Sequence, residues 1–211
     1  MTLYVPPHFR VEEQAGLVEF MRANAFATLV SAGDQGLHVS HIPILVDVFG
    51  DKVLLRGHVA RANPQWEALE GAKHVTAIFH GPHAYVSPTW YVTQPSVPTW
   101  NYAVVHAHGK ARITDEAELH EVVSELSAFY EAGNTPPWRL SEQPAAYVSS
   151  MLGMIVGFEV EVERLEGKFK LSQNRPVEIP GVAARLEARG ERAVAEMMRQ
   201  HAPAPKGKIT A

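Results

Sequence analysis

The chain has 211 residues, of which 46% are hydrophobic and 20% charged, and its formal net charge is −4. This composition is typical of a globular protein, and no apolar run approaches the ~20 residues needed to cross a bilayer. The absence of cysteine excludes disulfides, thiolate metal sites and cysteine nucleophiles. Scattered basic residues argue against direct DNA binding, and the N-terminus lacks a signal-peptide pattern. We therefore expect a cytoplasmic protein with one domain over residues 1–200 and a flexible tail over residues 201–211.

The first third of the chain predicts one helix, three strands and a second, short helix. Leu17, Phe20 and Met21 recur at helical spacing, and this helix should end near Asn24. Residues 25–59 are rich in β-branched residues, and turn signals at 33–36 and 49–51 divide them into three strands. A short helix should follow over 63–70, with Asn63 as its N-cap.

The rest of the chain alternates long strands with helices. Strands are predicted over 72–80 and 99–113, and a helix capped by Thr114 over 114–133. A short helix over 144–153 precedes a strand over 154–167, where apolar residues alternate with glutamates. The last helix should span about 182–201. Six or seven strands joined by tight turns and flanked by helices predict an α+β fold, with an antiparallel barrel or sandwich.

Eleven histidines are many for this length, and four of them fall in the stretch from 80 to 110. His106 and His108 are two apart on a predicted strand, so their rings should share a face. With His80 or His83 they could supply three nitrogen ligands to zinc or iron. The alternative is an ordinary hydrogen-bonded pair, and we predict no metal site because no carboxylate stands beside them in the sequence.

The same stretch is rich in aromatic residues and proline. Trp90, Tyr91, Trp100 and Tyr102 offer flat faces on which a planar ligand could stack. The prolines would stiffen the segment, which lowers the entropy lost on binding. Equally, these rings could close one end of a barrel or form a dimer contact.

A strand-to-helix corner at 57–64 is a candidate anion site. His58, Arg61 and Asn63 lie where the strand gives way to the short helix. The arginine fork and the free amides of a helix N-terminus both suit phosphate. Alternatively, Arg61 pairs with Glu67 or Glu70 on that helix.

A second polar cluster follows the last predicted strand. On extended backbone Lys168, Lys170 and Ser172 share a face, and Gln173 and Arg175 come directly after them. Several donors on one side form a wall suited to carbonyl or phosphate oxygens. A solvated edge strand carrying protective lysines is the alternative.

Taken in order, a series of motifs resembles the PaiB-type family, whose members are described as FMN-binding negative transcriptional regulators. They are YVPPHFR, LHVSHIPIL, LRGHVARANPQW, HGPHAYVSPTWY, VPTWNYAVVHAHGKARI, PPWRL and EGKFKLSQNR, and the similarity spans about residues 3–198. The resemblance implies a split β-barrel that binds FMN at a homodimer interface.

The resemblance also assigns roles to residues. Related oxidases bind the FMN phosphate through a Ser-Arg-Lys stretch, of which only Arg61 has a counterpart in the ARAN segment of this chain. From these patterns and the resemblance together, the predicted cofactor contacts are Arg61, His58, Asn63, Trp90, Trp100, Asn101, Tyr102, Lys168, Lys170, Ser172, Gln173 and Arg175. The barrel has haem-binding relatives as well, so haem held by His80, His83, His106 or His108 is an alternative. A flavin-dependent oxidoreductase acting on a small molecule is another. No helix-turn-helix pattern accompanies the regulator description.

Overall fold

The fold was taken from a computed structural model, which describes residues 3–33, 36–70, 72 and 74–203. Residues 204–211 of the predicted tail lie outside these residues, as do two residues of the predicted turn at 33–36. Within the described residues there are eight strands and six α-helices. The strands are β1 Arg10–Val11, β2 Phe26–Gly33, β3 Gly36–Pro43, β4 Leu45–Phe49, β5 Lys52–Ala60, β6 Val75–Val86, β7 Thr99–Ile113 and β8 Ile155–Lys170. The helices are α1 Gln14–Ala23, α2 Gln65–Glu70, α3 Glu116–Glu131, α4 Ala145–Leu152, α5 Ile179–Ala188 and α6 Arg192–Gln200.

The strands form one sheet in the order β3-β2-β6-β7-β8-β5-β4, with β1 paired to β8. The assigned registers of β2 with β3 and β6, of β5 with β4 and β8, and of β1 with β8 are all antiparallel. Glycine permits one close approach: a Cβ at Gly109 on β7 would overlap the carbonyl oxygen of Glu161 on β8. The predicted α+β class with an antiparallel sheet is confirmed.

The chain divides into two compact units, and the boundaries fall within the long strands β6 and β7 and near the end of β8. Unit 1 contains residues 1–13, 80–104 and 166–211. Its buried side chains include Phe9, Val86, Phe169, Leu171 and Met198. In this unit α5 and α6 pack against each other.

Unit 2 contains residues 14–79 and 105–165. The apolar faces of its strands supply a core that includes Leu29, Ile44, Leu55, Phe79 and Phe158. A second apolar cluster lies where α3 and α4 meet, built from Leu119, Leu140, Val148 and Leu152. Among the residues that the structure describes, no helix is both long enough and apolar enough to span a membrane.

Several predicted elements need correction. The segment 25–59 holds four strands rather than three, because the chain breaks at Ile44, whose side chain is buried and whose N–H bonds to the Ala25 carbonyl. The single helix predicted over 182–201 is two helices, and Gly190, with φ of 88°, stands between them. The cap of α3 is Asp115 rather than Thr114.

Candidate functional site

The predicted cofactor contacts fall into two groups, one in each unit. His58, Arg61 and Asn63 belong to unit 2, and the remaining nine belong to unit 1. Within unit 1, the residues at the start of β7 contact those at the end of β8: Asn101 bonds to Ser172, Tyr102 faces Lys168, and the backbone at Trp100 bonds to Lys170.

In the unit 2 corner, Arg61 is exposed and held by backbone carbonyls. Its Nε donates to Gly153 O at 2.8 Å and its Nη2 to Ile155 O at 3.0 Å. Arg61 therefore does not pair with Glu67 or Glu70, the alternative partners on α2. Nη1 has no hydrogen-bond acceptor among the described residues, so one edge of the guanidinium is available for an anion.

Donors on the backbone of α2 are already engaged at this corner. The Gln65 N–H donates to Asn63 Oδ1 at 3.0 Å, and the Glu67 N–H donates to the Pro64 carbonyl at 3.2 Å. The Asn63 amide donates to Ser40 Oγ at 2.8 Å. Any phosphate contact here would thus depend on Arg61 more than on the helix N-terminus.

His58 adds a buried polar atom to the corner. Burial lowers the pKa of its imidazole, because desolvation disfavours the charged form. Its Nδ1 is buried and has no hydrogen-bond partner among the described residues. Most buried polar atoms in proteins have a partner, so this nitrogen marks the corner as unusual.

The centre of the unit 1 group is Lys168 on β8. Only 8% of the residue is exposed, and its ammonium lies 5.4 Å from the centre of the Tyr4 ring and 5.3 Å from that of Tyr102. We call Tyr4, Tyr102 and Lys168 the Lys168 cluster. Tyr4 was not among the predicted contacts, and only its place in the YVPPHFR motif hinted at a role.

Lys170 has a different environment two residues further on. Its ammonium donates to Thr99 Oγ1 and to the Trp100 carbonyl, both at 2.6 Å, and burial lowers its pKa. Lys170 therefore joins the end of β8 to the start of β7. Trp100 itself leaves 54% of its surface exposed and packs edge-on against Tyr85, with ring centres 6.0 Å apart.

Ser172 and Asn101 form a buried polar link behind these lysines. Asn101 Nδ2 donates to Ser172 Oγ at 3.0 Å and lies 3.2 Å from the sulfur of Met198. Asn101 is wholly buried, so its amide positions the Ser172 turn. Gln173 braces the same turn, because its Oε1 accepts from Leu171 N and its Nε2 donates to Phe169 O.

Arg175 and the proline-rich segment complete the unit 1 group. Arg175 lies over the Tyr91 ring and donates to Ser96 Oγ at 2.9 Å. Trp90, half-buried, carries the guanidinium of Arg189 at 5.6 Å from its ring centre. The buried carboxylate of Glu178 accepts from the Val92 and Thr93 N–H groups at 2.8 and 3.0 Å, which anchors the segment.

The histidines of the haem alternative are also divided. His80 and His83 are exposed in unit 1, and the His83 ring lies 6.3 Å from that of Trp100. His106 and His108 lie on β7 in unit 2 with ring centres 6.0 Å apart, and His108 Nδ1 is 2.9 Å from Thr76 Oγ1.

The unit 1 group fits FMN by its chemistry. Arg175 interacts electrostatically with the buried Glu178 carboxylate, but Lys168 and Lys170 form no ion pair with a carboxylate in the described part of the chain, so the end of β8 carries positive charge. Aromatic rings surround that charge. A planar cofactor with carbonyl and ring-nitrogen acceptors matches such a surface.

Comparison with solved structures identifies the class of fold. The chain is similar to the flavocytochrome Anf3 from Azotobacter vinelandii, with 15% identity, coverage of 79% of this chain and 72% of that one, and a TM-score of 0.58. It is also similar to the FAD and heme binding protein from Mycobacterium smegmatis, with 15% identity, coverage of 76% and 73%, and a TM-score of 0.57. These likenesses show an α+β split-barrel fold.

Sequence comparison then identifies the family. Residues 3–164 match the family described as "Putative FMN-binding domain". The chain is 36% identical over 174 residues to the Bacillus subtilis (strain 168) protein "Protease synthase and sporulation protein PAI 2". The alignment covers 82% of this chain and 83% of that protein. It is 35% identical over 198 residues to the uncharacterized protein AN0679 of Emericella nidulans, covering 74% and 79%. This chain therefore belongs to the PaiB-type FMN-binding family, as its motifs indicated, and FMN is the cofactor that the family supports.

Proposed function

We propose that this protein is a cytoplasmic homodimer that binds FMN without covalent attachment, with Lys168 and its neighbouring rings contacting the flavin ring system. The observation that carries this proposal is the position of Lys168, a residue only 8% exposed, whose ammonium lies against the faces of the Tyr4 and Tyr102 rings and has no carboxylate or hydrogen-bond acceptor in the described residues. Bound FMN would supply hydride or electron transfer, while the protein orients the ring and sets its electrostatic environment.

Arg61 is proposed separately as a phosphate contact. Its exposed guanidinium edge supports this role, and so does the motif resemblance. Because riboflavin is FMN without the phosphate, the two ligands distinguish a phosphate contact from a ring contact.

The test is to titrate flavin-free protein with FMN and with riboflavin, following flavin fluorescence. Arg61→Ala should weaken FMN binding by about 10- to 100-fold, as expected for a charged hydrogen bond, and leave riboflavin binding unchanged. Lys168→Met should weaken both ligands together. Lys52→Met, at an exposed strand lysine paired with Glu161, is the control and should affect neither ligand.

Two results would contradict these assignments. Unchanged FMN affinity in Arg61→Ala would remove Arg61 from the phosphate role. A wild-type protein that binds neither flavin would overturn the flavin proposal, and a Soret band on adding haemin, lost on replacing His106 or His108, would favour haem instead.

We also propose that any regulatory role acts through the redox state of FMN or a partner protein. The net charge of −4 and the dispersed basic residues support this over direct DNA contact. Specific DNA binding with a steep salt dependence would contradict it.

A further inference from the structure

In the described residues of unit 1, the ammonium of Lys168 pairs with no carboxylate. It lies against the faces of the Tyr4 and Tyr102 rings, and its charge also acts on the ammonium of Lys170. A ring face attracts a cation but does not neutralise its charge, so the ammonium can still attract an anion. A negatively charged ligand beside it would therefore be held more tightly than a neutral ligand of the same shape.

Lys170 provides an internal comparison. It lies two residues away on the same strand, but Thr99 Oγ1 and the Trp100 carbonyl already accept from its ammonium. Replacing Lys170 would therefore disturb the join between β7 and β8. Replacing Lys168 would remove a charge that serves no such join.

We propose that Lys168 binds reduced FMN more tightly than oxidised FMN and thereby raises the midpoint potential of the bound cofactor. This rests on the proposed function, since it needs FMN to contact the Lys168 cluster. Uptake of two electrons and one proton adds one negative charge to the flavin ring, which is neutral when oxidised. The attraction of Lys168 for that added charge is strong because the site is partly shielded from water.

The size of the effect follows from a thermodynamic cycle. The midpoint potential of bound FMN differs from that of free FMN only through the ratio of the dissociation constants of the two redox states. For a two-electron couple, each tenfold change in that ratio shifts the potential by about 30 mV. The Lys168 cluster would thus make the protein selective for a redox state of its cofactor, as a reductase or a redox sensor requires.

The experiment measures the midpoint potential of protein-bound FMN at pH 7, using gradual reduction by xanthine and xanthine oxidase against a reference dye. Lys168→Met should weaken the binding of reduced FMN, relative to that of oxidised FMN, by at least about tenfold. The midpoint potential of the bound FMN should therefore fall by about 30 mV. Lys168→Arg keeps the charge and should retain most of the wild-type potential. Lys52→Met is the control, because Lys52 is exposed in unit 2 and pairs with Glu161, and its potential should stay near that of the wild type.

The outcomes separate this inference from the proposed function. If Lys168→Met binds FMN with an unchanged potential, the inference is wrong although the protein remains a flavoprotein. If the wild type binds no FMN, the proposed function itself fails. Should Lys168→Met not fold, Lys168→Gln replaces it, because glutamine also removes the charge but keeps a polar group at the end of the side chain. An unchanged potential in Lys168→Gln would then overturn the inference.

Discussion

Just after β8, Ser172 has a strained backbone conformation and its hydroxyl lies in a buried polar link with Asn101. Ser172 has φ of 70°, in the left-handed region that side chains other than glycine seldom adopt. The surrounding bonds stabilise that conformation: Asn101 bonds to the Ser172 hydroxyl, and the Ser172 carbonyl accepts from Arg175 N at 2.8 Å. Strain of this kind persists only where neighbouring contacts fix the backbone, and it is common at ligand sites.

This arrangement makes Asn101 important for stability. Asn101→Leu should lower the free energy of unfolding by about 1–3 kcal/mol, because the buried Ser172 hydroxyl loses its partner. Urea unfolding followed by circular dichroism measures the change. Asn174→Ala, at an exposed position in the same segment, is the control and should change stability by less than about 0.5 kcal/mol. Equal effects in the two variants would contradict the structural role of Asn101.

At the scale of secondary structure, α3 shows how a helix start is chosen. Thr114 and Asp115 are both good caps by residue type, and the sequence pattern favoured Thr114. In the structure Asp115 Oδ1 accepts from Glu118 N at 2.9 Å, while the Glu118 carboxylate accepts from Asp115 N at 2.9 Å, which forms a capping box. The Glu118 carboxylate also accepts two hydrogen bonds from Arg112 on β7, at 2.7 and 2.8 Å.

These bonds predict a pH-dependent contribution to stability. Hydrogen bonds from Arg112, and then from the Asp115 N–H, lower the pKa of Glu118 from 4.5 to about 2. A carboxyl group whose pKa is lower in the folded state stabilises the fold fully above its ordinary pKa and loses that contribution as the pH falls towards 2. Glu118→Gln retains a cap acceptor but not the charge, so its melting temperature should lie below that of the wild type at pH 7.

Thermal melts between pH 7 and pH 2 test this prediction. The difference between wild type and Glu118→Gln should shrink below about pH 4.5 and vanish near pH 2. Glu121→Gln, exposed on the same helix, is the control. A difference that stays constant with pH would show that the pair with Arg112 contributes nothing that depends on ionisation.

At the scale of the whole molecule, the exposed aromatic residues of unit 1 bear on assembly. Tyr85 and Trp100 are 43% and 54% exposed and contact each other, and Val92 and Val97 nearby in sequence are 77% and 70% exposed. Exposed apolar side chains grouped in this way often mark an interaction surface. This supports the proposed homodimer and the idea that these rings form a dimer contact.

Sedimentation velocity tests the assembly. The wild type should sediment as a dimer, and Trp100→Ser should shift the population towards monomer, because aromatic residues often dominate interface energies. Trp138→Ser is the matched control, since Trp138 is 41% exposed in unit 2 and should not alter the state. A monomeric wild type, or equal shifts in both variants, would contradict the proposed contact.

Local sequence pattern predicted most helices and strands. It failed where a single residue or a contact with a distant part of the chain determined where an element ends. The strand over 99–113 and the helix α3 were predicted because their periodicity is long and regular. The strand break at Ile44 was missed because an apolar residue is also compatible with a continuous strand. The helix boundary at Gly190 was missed because a single glycine can also lie within a continuous helix. β8 extends beyond its predicted end at residue 167 to Lys170, because β1 pairs with it at Gly167 and Lys168.

For the candidate site, the sequence by itself determined the residue types, the family and the cofactor class, because rare motifs and residue spacing are properties of the chain alone. Only the tertiary structure decided how the two lysines differ. Lys170 is hydrogen-bonded to Thr99 and Trp100, whereas Lys168 is buried between Tyr4 and Tyr102 without an acceptor in the described residues. Both lysines look alike in the segment KFK. Burial and hydrogen-bond partners come from residues far away in sequence, which local pattern does not encode.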